Sequence, residues 1–180
     1  MRIIAGDKRG ILLKTLDGEE TRPTMERVKE GVFSSLHFLL PGATVLDLYA
    51  GSGQMGFEAL SRGAVRCTLV DSSRDAVAVI KENARATALY EKCNVACMDV
   101  LAFLANSREK FDVIFADPPY RTGAVPALLQ QIESVAAPGA QVVCETEKQA
   151  ELPQQVGGLT LQKTYRYGTV LISRYRMQEE

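Results

Sequence analysis

Hydrophobic positions change their period along this chain, and each change marks an element. Residues 2–5 and 11–14 are short apolar runs separated by Gly6-Asp7-Lys8-Arg9-Gly10, which predicts a hairpin with a longer turn. A polar turn follows at residues 17–20. Val28, Val32, Phe33, Leu36 and Leu39 then fall on one stripe, predicting a helix over residues 25–40 with Thr24 as its N-cap and Pro41-Gly42 as its stop.

From residue 44 onward the pattern alternates. Apolar runs at 44–49, 66–71, 94–98, 111–116 and 140–145 read as strands. Between them, helical spacing predicts helices over 56–62, 74–89, 100–107 and 125–136. Repeated strand–helix units with apolar strands argue a mostly parallel sheet covered on both faces. The tail departs from this: residues 159–165 and 169–175 are two strands joined at Tyr167-Gly168. The expected fold is α/β, a Rossmann-like sheet closed by an antiparallel C-terminal hairpin, with an N-terminal β-hairpin and helix added. The natural division is an extension over residues 1–42 and a main domain over 43–180.

Composition narrows the class. With 180 residues, 46% hydrophobic and 24% charged, this is an ordinary globular chain. It holds no apolar run near the roughly 20 residues of a membrane helix. The N-terminus lacks the apolar core of a signal peptide, so a cytoplasmic location is expected. The four cysteines (67, 93, 97, 144) form no CxxC pair and the single histidine is His37, so small buried thiols are expected rather than a metal site. The net charge of −1 hides a distribution. Residues 1–16 carry Arg2, Lys8, Arg9 and Lys14 against Asp7, and residues 162–176 carry Lys163, Arg166, Arg174 and Arg176 with no acid. Basic ends on an acidic body read either as a phosphate-binding face or as cations that blunt sheet edges.

The chemistry lies after two strands. Gly51, Gly53 and Gly56 match G-x-G-x-x-G directly after the first strand of the alternating region, where ligands bind in an open α/β sheet. Asp71 ends the next strand, twenty residues after Gly51, and its carboxylate can accept from both hydroxyls of an adenosine ribose. NAD and S-adenosylmethionine share that ribose. Asp47 favours the second, because a carboxylate within the strand repels a pyrophosphate and suits the ammonium of a methionine moiety; the alternative is a satisfied strand-end acid. Asp99 can read the adenine amino group or cap the helix that follows it.

Asp117-Pro118-Pro119-Tyr120 leaves the fourth strand. The prolines remove two donors, so the segment presents the Asp117 carboxylate and the Pro118 carbonyl as acceptors beside the Tyr120 ring. Two acceptors and a stacking face can hold a nucleobase amino group in line with a methyl donor.

At these residues the chain resembles the class I S-adenosylmethionine-dependent methyltransferases. More narrowly, it resembles the bacterial 16S ribosomal RNA guanine-N2 methyltransferase family of the RsmD type. The carriers are Met1 to Gly6, Arg22-Pro23-Thr24 with Arg27 to Glu30, Asp47 to Gly53, Glu58 to Ala64, the Asp-Pro-Pro-Tyr tetrapeptide and Tyr167-Gly168. The resemblance implies methyl transfer from S-adenosylmethionine, leaving S-adenosylhomocysteine, to the exocyclic N2 of a guanine in small-subunit rRNA. By the family pattern Asp47, Leu48, Ala50, Gly51, Ser52, Gly53, Asp71, Ser72, Asp99, Val100 and Asp117 map to the donor site. Asp117, Pro118, Pro119 and Tyr120 map to the target base. It implies no metal, no membrane, and a monomer acting on 16S rRNA within a small-subunit particle. Arg2, Lys8, Arg9, Arg22 and Arg27 are the expected phosphate contacts, with helix-start and surface roles as the alternative for Arg22 and Arg27. A DNA amino-methyltransferase shares the tetrapeptide, but usually carries an added recognition region. A small enzyme can instead read the shape of a folded RNA. An NAD-dependent oxidoreductase fits worse, because the chain shows no hydride-site set.

Overall fold

The computed structural model describes residues 1–17, 23–119 and 124–179, with the backbone alone for 23–25. Its elements in chain order are α1 (Pro23–Ser35), β1 (Thr44–Leu48), α2 (Gln54–Ser61), β2 (Arg66–Asp71), α3 (Arg74–Ala86), β3 (Cys93–Cys97), α4 (Val100–Asn106), β4 (Phe111–Ala116), α5 (Ala124–Glu133), β5 (Ala136–Glu147), β6 (Gln155–Val156), β7 (Leu159–Tyr167) and β8 (Val170–Met177). They build one sheet in the order β3-β2-β1-β4-β5-β8-β7-β6. The first five of these strands are mutually parallel, and β5-β8, β8-β7 and β7-β6 pair antiparallel. The mixed sheet is the one the hydrophobic pattern predicts, with the short β6 as an unforeseen edge.

Strand order reverses between β1 and β4, with Leu48 beside Ala116 in the parallel register. In such a sheet the carboxyl ends of the two strands on either side of the reversal open a crevice.

Each sheet face buries its own cluster. One face packs Val45, Leu69, Val113 and Phe115 against Phe57, Leu60 and Ile80. The other packs Leu46, Leu48, Ile114 and Val142 against Leu104, Leu128 and Ile132. The N-terminal segment joins the first cluster through Ile3, Leu13, Val28, Val32, Phe33, Leu36 and Leu40, so the described part of residues 1–42 and the sheet share one core.

The expected N-terminal β-hairpin is short: it closes through one antiparallel bridge, Arg2 with Leu12, and three backbone bonds, Ile3 N to Ile11 O at 3.0 Å, Gly10 N to Ile3 O at 2.8 Å and Leu13 N to Met1 O at 2.7 Å. Other backbone groups of the arm are satisfied by side chains of α2. Glu58, fully buried, accepts from Ile4 N at 2.8 Å and from Ala5 N at 3.0 Å. Ser61 Oγ accepts from Lys8 N at 2.9 Å and donates to Ala5 O at 2.6 Å. Glu58 also meets Lys29 Nζ at 3.2 Å and Arg62 Nε at 2.8 Å. Lys29 is itself buried, and desolvation lowers its pKa against the opposing pull of Glu58. A buried carboxylate shared by two cations and two peptide N–H groups satisfies the hydrogen-bonding demand that burial creates.

Candidate active site at the carboxyl edge of the sheet

After β1 the chain turns through Tyr49, Ala50, Gly51, Ser52 and Gly53 into α2. Three of these residues have positive φ: Tyr49 at 58°, Gly51 at 56° and Gly53 at 82°. Gly53 is the N-cap of α2, and a Cβ there would lie 2.7 Å from Phe57 Cε2. Only glycine meets both demands without displacement. Tyr49 is a left-handed non-glycine residue at the strand end, a conformation that periodicity does not reveal.

Asp47 lies on the same face as Val45, beneath this turn. Its Oδ2 accepts from Gly56 N at 2.9 Å, so a strand residue satisfies a free amide in the first turn of α2. Gly56 permits the approach, since a Cβ on it would sit 2.9 Å from Cys67 Sγ and 3.2 Å from Asp47 Oδ2. Burial dominates the electrostatics: desolvation raises the Asp47 pKa to about 8, opposed by the Gly56 N–H and reinforced by Asp117 and Asp71. Asp47 therefore feels the charges of Asp117 and Asp71 from the neighbouring strand ends.

Asp71, at the end of β2, accepts from Gly51 N through Oδ2 and from Ser73 N through Oδ1, each at 2.9 Å. It braces the first glycine of the turn and the start of α3, where Ser73 is the N-cap. Ser72 between them is exposed. A carboxylate has about four lone-pair sites, so two bonds leave acceptor capacity. Asp99 is exposed and caps α4, accepting from Ala102 N at 3.0 Å, so its capping role is realised. Burial and then the negative charge of Asp99 raise the Tyr49 pKa. Leu48 and Ala50 are buried beside the turn, as is Val100 at the start of α4.

Asp117 and Pro119 are exposed and Pro118 is buried, immediately beyond β4. Tyr120 lies outside the described residues. Among the expected cation set, Arg2 and Arg9 are exposed and line one cleft of about 180 Å³ together with Glu26 and Glu30. Arg2 also faces Glu26 at 3.8 Å. Lys8 is half-buried and Arg27 is exposed on α1, while Arg22 lies outside the described residues. The structure thus gathers the donor-site candidates at one rim and sets the cations on the adjoining N-terminal arm. Among the described residues, no cluster of His, Cys, Asp and Glu could hold a metal, and no helix is long and apolar enough to cross a membrane.

A family model described as Conserved hypothetical protein 95 matches residues 1–176. The chain belongs to this family, the RsmD family. Its relatives include the ribosomal RNA small subunit methyltransferase D of Escherichia coli, 31% identical over 182 residues, covering 100% of this chain and 91% of that protein. The protein of the same name from Haemophilus influenzae is 35% identical over 157 residues, covering 84% and 81% of the two chains. Among solved structures, the Escherichia coli protein yhhF, named as a candidate methyltransferase, superposes with a TM-score of 0.89 at 32% identity, covering 100% of this chain and 99% of that one. The fold is that of the class I methyltransferases. At 16% identity, SMU.776 complexed with S-adenosylhomocysteine shares that fold with a TM-score of 0.70 over 83% of this RsmD-family chain and 49% of its own.

Proposed function

We propose that this chain transfers a methyl group from S-adenosylmethionine to the exocyclic N2 amino group of a guanine in 16S rRNA, within a small-subunit particle in the cytoplasm. The observation that carries the reading is the pairing of Leu48 with Ala116. It sets the glycine turn and the Asp117-Pro118-Pro119 segment on neighbouring strand ends at the point where strand order reverses. The names of the family's relatives support rRNA as the substrate class.

The residues present fit the donor. A turn in which a Cβ would collide suits close approach of backbone to a ligand. A buried carboxylate at Asp47 suits an ammonium, and Asp71 keeps acceptor capacity for ribose hydroxyls. Asp99 retains Oδ2 for an adenine amino group, and Leu48, Ala50, Ser52, Ser72 and Val100 complete the wall. S-adenosylmethionine, when bound, supplies the electrophilic methyl.

On the acceptor side, Asp117 and the Pro118 carbonyl accept hydrogen bonds from the two N–H groups of the guanine amine, and the Tyr120 ring stacks on the base. This turns the nitrogen lone pair toward the donor. In-line positioning supplies the largest share of the rate, worth up to roughly 7–11 kcal/mol in well-oriented reactions. Asp117 polarises the amine and receives its proton after transfer. The arm over residues 1–42 faces the RNA, with Arg2, Lys8, Arg9, Arg22 and Arg27 on phosphates, and the enzyme acts as a monomer.

The test is methylation with labelled donor of unmodified small-subunit particles, naked 16S rRNA and duplex DNA, with mass mapping of the product. Label on a guanine N2 of the rRNA is expected. Label on adenine N6 or cytosine N4 of DNA alone would replace the proposal.

A further inference from the structure

One buried side chain reaches both the glycine turn and the N-terminal arm. Asn83 lies on the core-facing side of α3 and is 2% exposed. Its Oδ1 accepts from Lys14 N at 2.8 Å, and its Nδ2 donates to Lys14 O at 2.9 Å. This two-point pairing with one residue's backbone is what a neighbouring strand would make. Nδ2 donates again to Ser52 O at 3.0 Å. Ser52 stands between Gly51 and Gly53 and is 1% exposed. A carboxamide offers two donor hydrogens and one acceptor oxygen, so every hydrogen-bonding group of Asn83 is engaged. A shift of the Lys14 backbone cannot occur without moving this amide, losing a bond, or drawing Ser52 with it. Glu58 and Ser61 fasten the arm to the body of α2, but their bonds go to Ile4, Ala5 and Lys8 and none goes to the turn.

We infer that Asn83 is a positioning residue coupling RNA engagement by the N-terminal arm to donor occupancy of the glycine turn. The inference rests on the proposed function, which makes the turn the donor site and the arm an RNA contact. Coupling of this kind is reciprocal: whatever the donor does for RNA affinity, RNA does for donor affinity. The enzyme then favours the donor-loaded state when RNA is in place, without any side chain of the arm touching the donor.

The experiment uses the full chain, S-adenosylhomocysteine, and an unmethylated transcript of small-subunit rRNA. RNA affinity is measured with and without saturating S-adenosylhomocysteine. The unsubstituted protein is expected to bind RNA at least about five-fold more tightly in its presence. In Asn83→Ala that ratio falls to about one. Ser61→Ala, which loosens the arm without touching the turn, weakens RNA binding and keeps the ratio. An equal ratio in Asn83→Ala and the unsubstituted protein, a ratio of one in the latter, or a loss of the ratio in Ser61→Ala overturns the inference. A protein that does not bind S-adenosylhomocysteine at all overturns the donor-site reading instead. Amide exchange at Lys14 in the unsubstituted protein needs no variant to fold: S-adenosylhomocysteine should slow it at least about five-fold, and unchanged exchange on binding overturns the coupling.

Discussion

The proposed seat of the donor ammonium at Asp47 makes donor binding a proton-linked event. The Asp47 carboxyl is buried, takes one peptide N–H from Gly56, and is held protonated up to a pKa of about 8 against an ordinary value of 3.8. An ammonium placed against it requires the ionised form. At pH 6.5 that form is about 1.5 units uphill, which costs about 2 kcal/mol, or roughly thirty-fold in affinity. S-adenosylhomocysteine should therefore bind about thirty-fold more weakly at pH 6.5 than above pH 8. Binding should release nearly one proton at pH 6.5, falling to about half a proton near pH 8. Calorimetry in two buffers of different ionisation heat reads the proton count directly. Asp47→Asn keeps an oxygen for the Gly56 N–H but cannot ionise, so proton release disappears and affinity at pH 8 drops more than about ten-fold. The same shift acts on folding. The native state binds the proton more tightly than the unfolded chain, so the free protein loses stability as pH rises from about 4 to about 8, by about 1.4 kcal/mol per unit. Above pH 8 the Asn variant should be the more stable protein in the absence of ligand. Donor binding with no proton exchange at pH 6.5, and equal affinity at pH 6.5 and 8, would refute the placement of the ammonium at Asp47.

Three further outcomes test other parts of the molecule. Asp117→Ala should lower the single-turnover methylation rate by about 10² to 10⁴ while RNA affinity stays within about two-fold; unchanged methylation removes Asp117 from the chemistry. Glu58→Gln leaves Lys29 and Arg62 without their shared anion in a buried setting and should cost about 3–5 kcal/mol in urea unfolding, with a loss below about 1 kcal/mol contradicting the clamp. Arg9→Glu should weaken RNA binding and flatten the plot of log affinity against log salt by about one unit, and an unchanged slope takes Arg9 out of the interface.

What the sequence disclosed and what it withheld divide along a physical line. β1 and its turn were legible because an apolar run followed by Gly51 and Gly53 is a local signal, and Asp47 stood out as a charge inside that run. The bond from Gly56 to Asp47 was not legible, because it exists only once α2 folds back over the strand. Element ends misled where sterics or turns overrode periodicity. The apolar stripe continues through Leu36 and Leu39, yet α1 ends at Ser35 and the chain goes on in tight turns such as Leu39 N to Leu36 O at 2.9 Å. Helical spacing runs to residue 89, yet α3 ends at Ala86, and Ala88 turns left-handed with φ 56° although alanine is the strongest helix former. β5 begins at Ala136, ahead of the strand start expected at residue 140, because Ala136 pairs with Phe111 before the register shifts.

The N-terminal arm shows the same line most clearly. Its two apolar runs spell a hairpin and pair as a short one, while Glu58, Ser61 and Asn83 bond the backbone groups that the hairpin leaves over. The sign was present in the pattern: Glu58 sits in the apolar run of α2, and Asn83 lies one turn beyond Ile80 on the core-facing stripe of α3. A polar residue in such a place must find partners. Which partners it finds is set by the tertiary fold, so the cation-bearing arm takes its shape from the helices that frame the glycine turn.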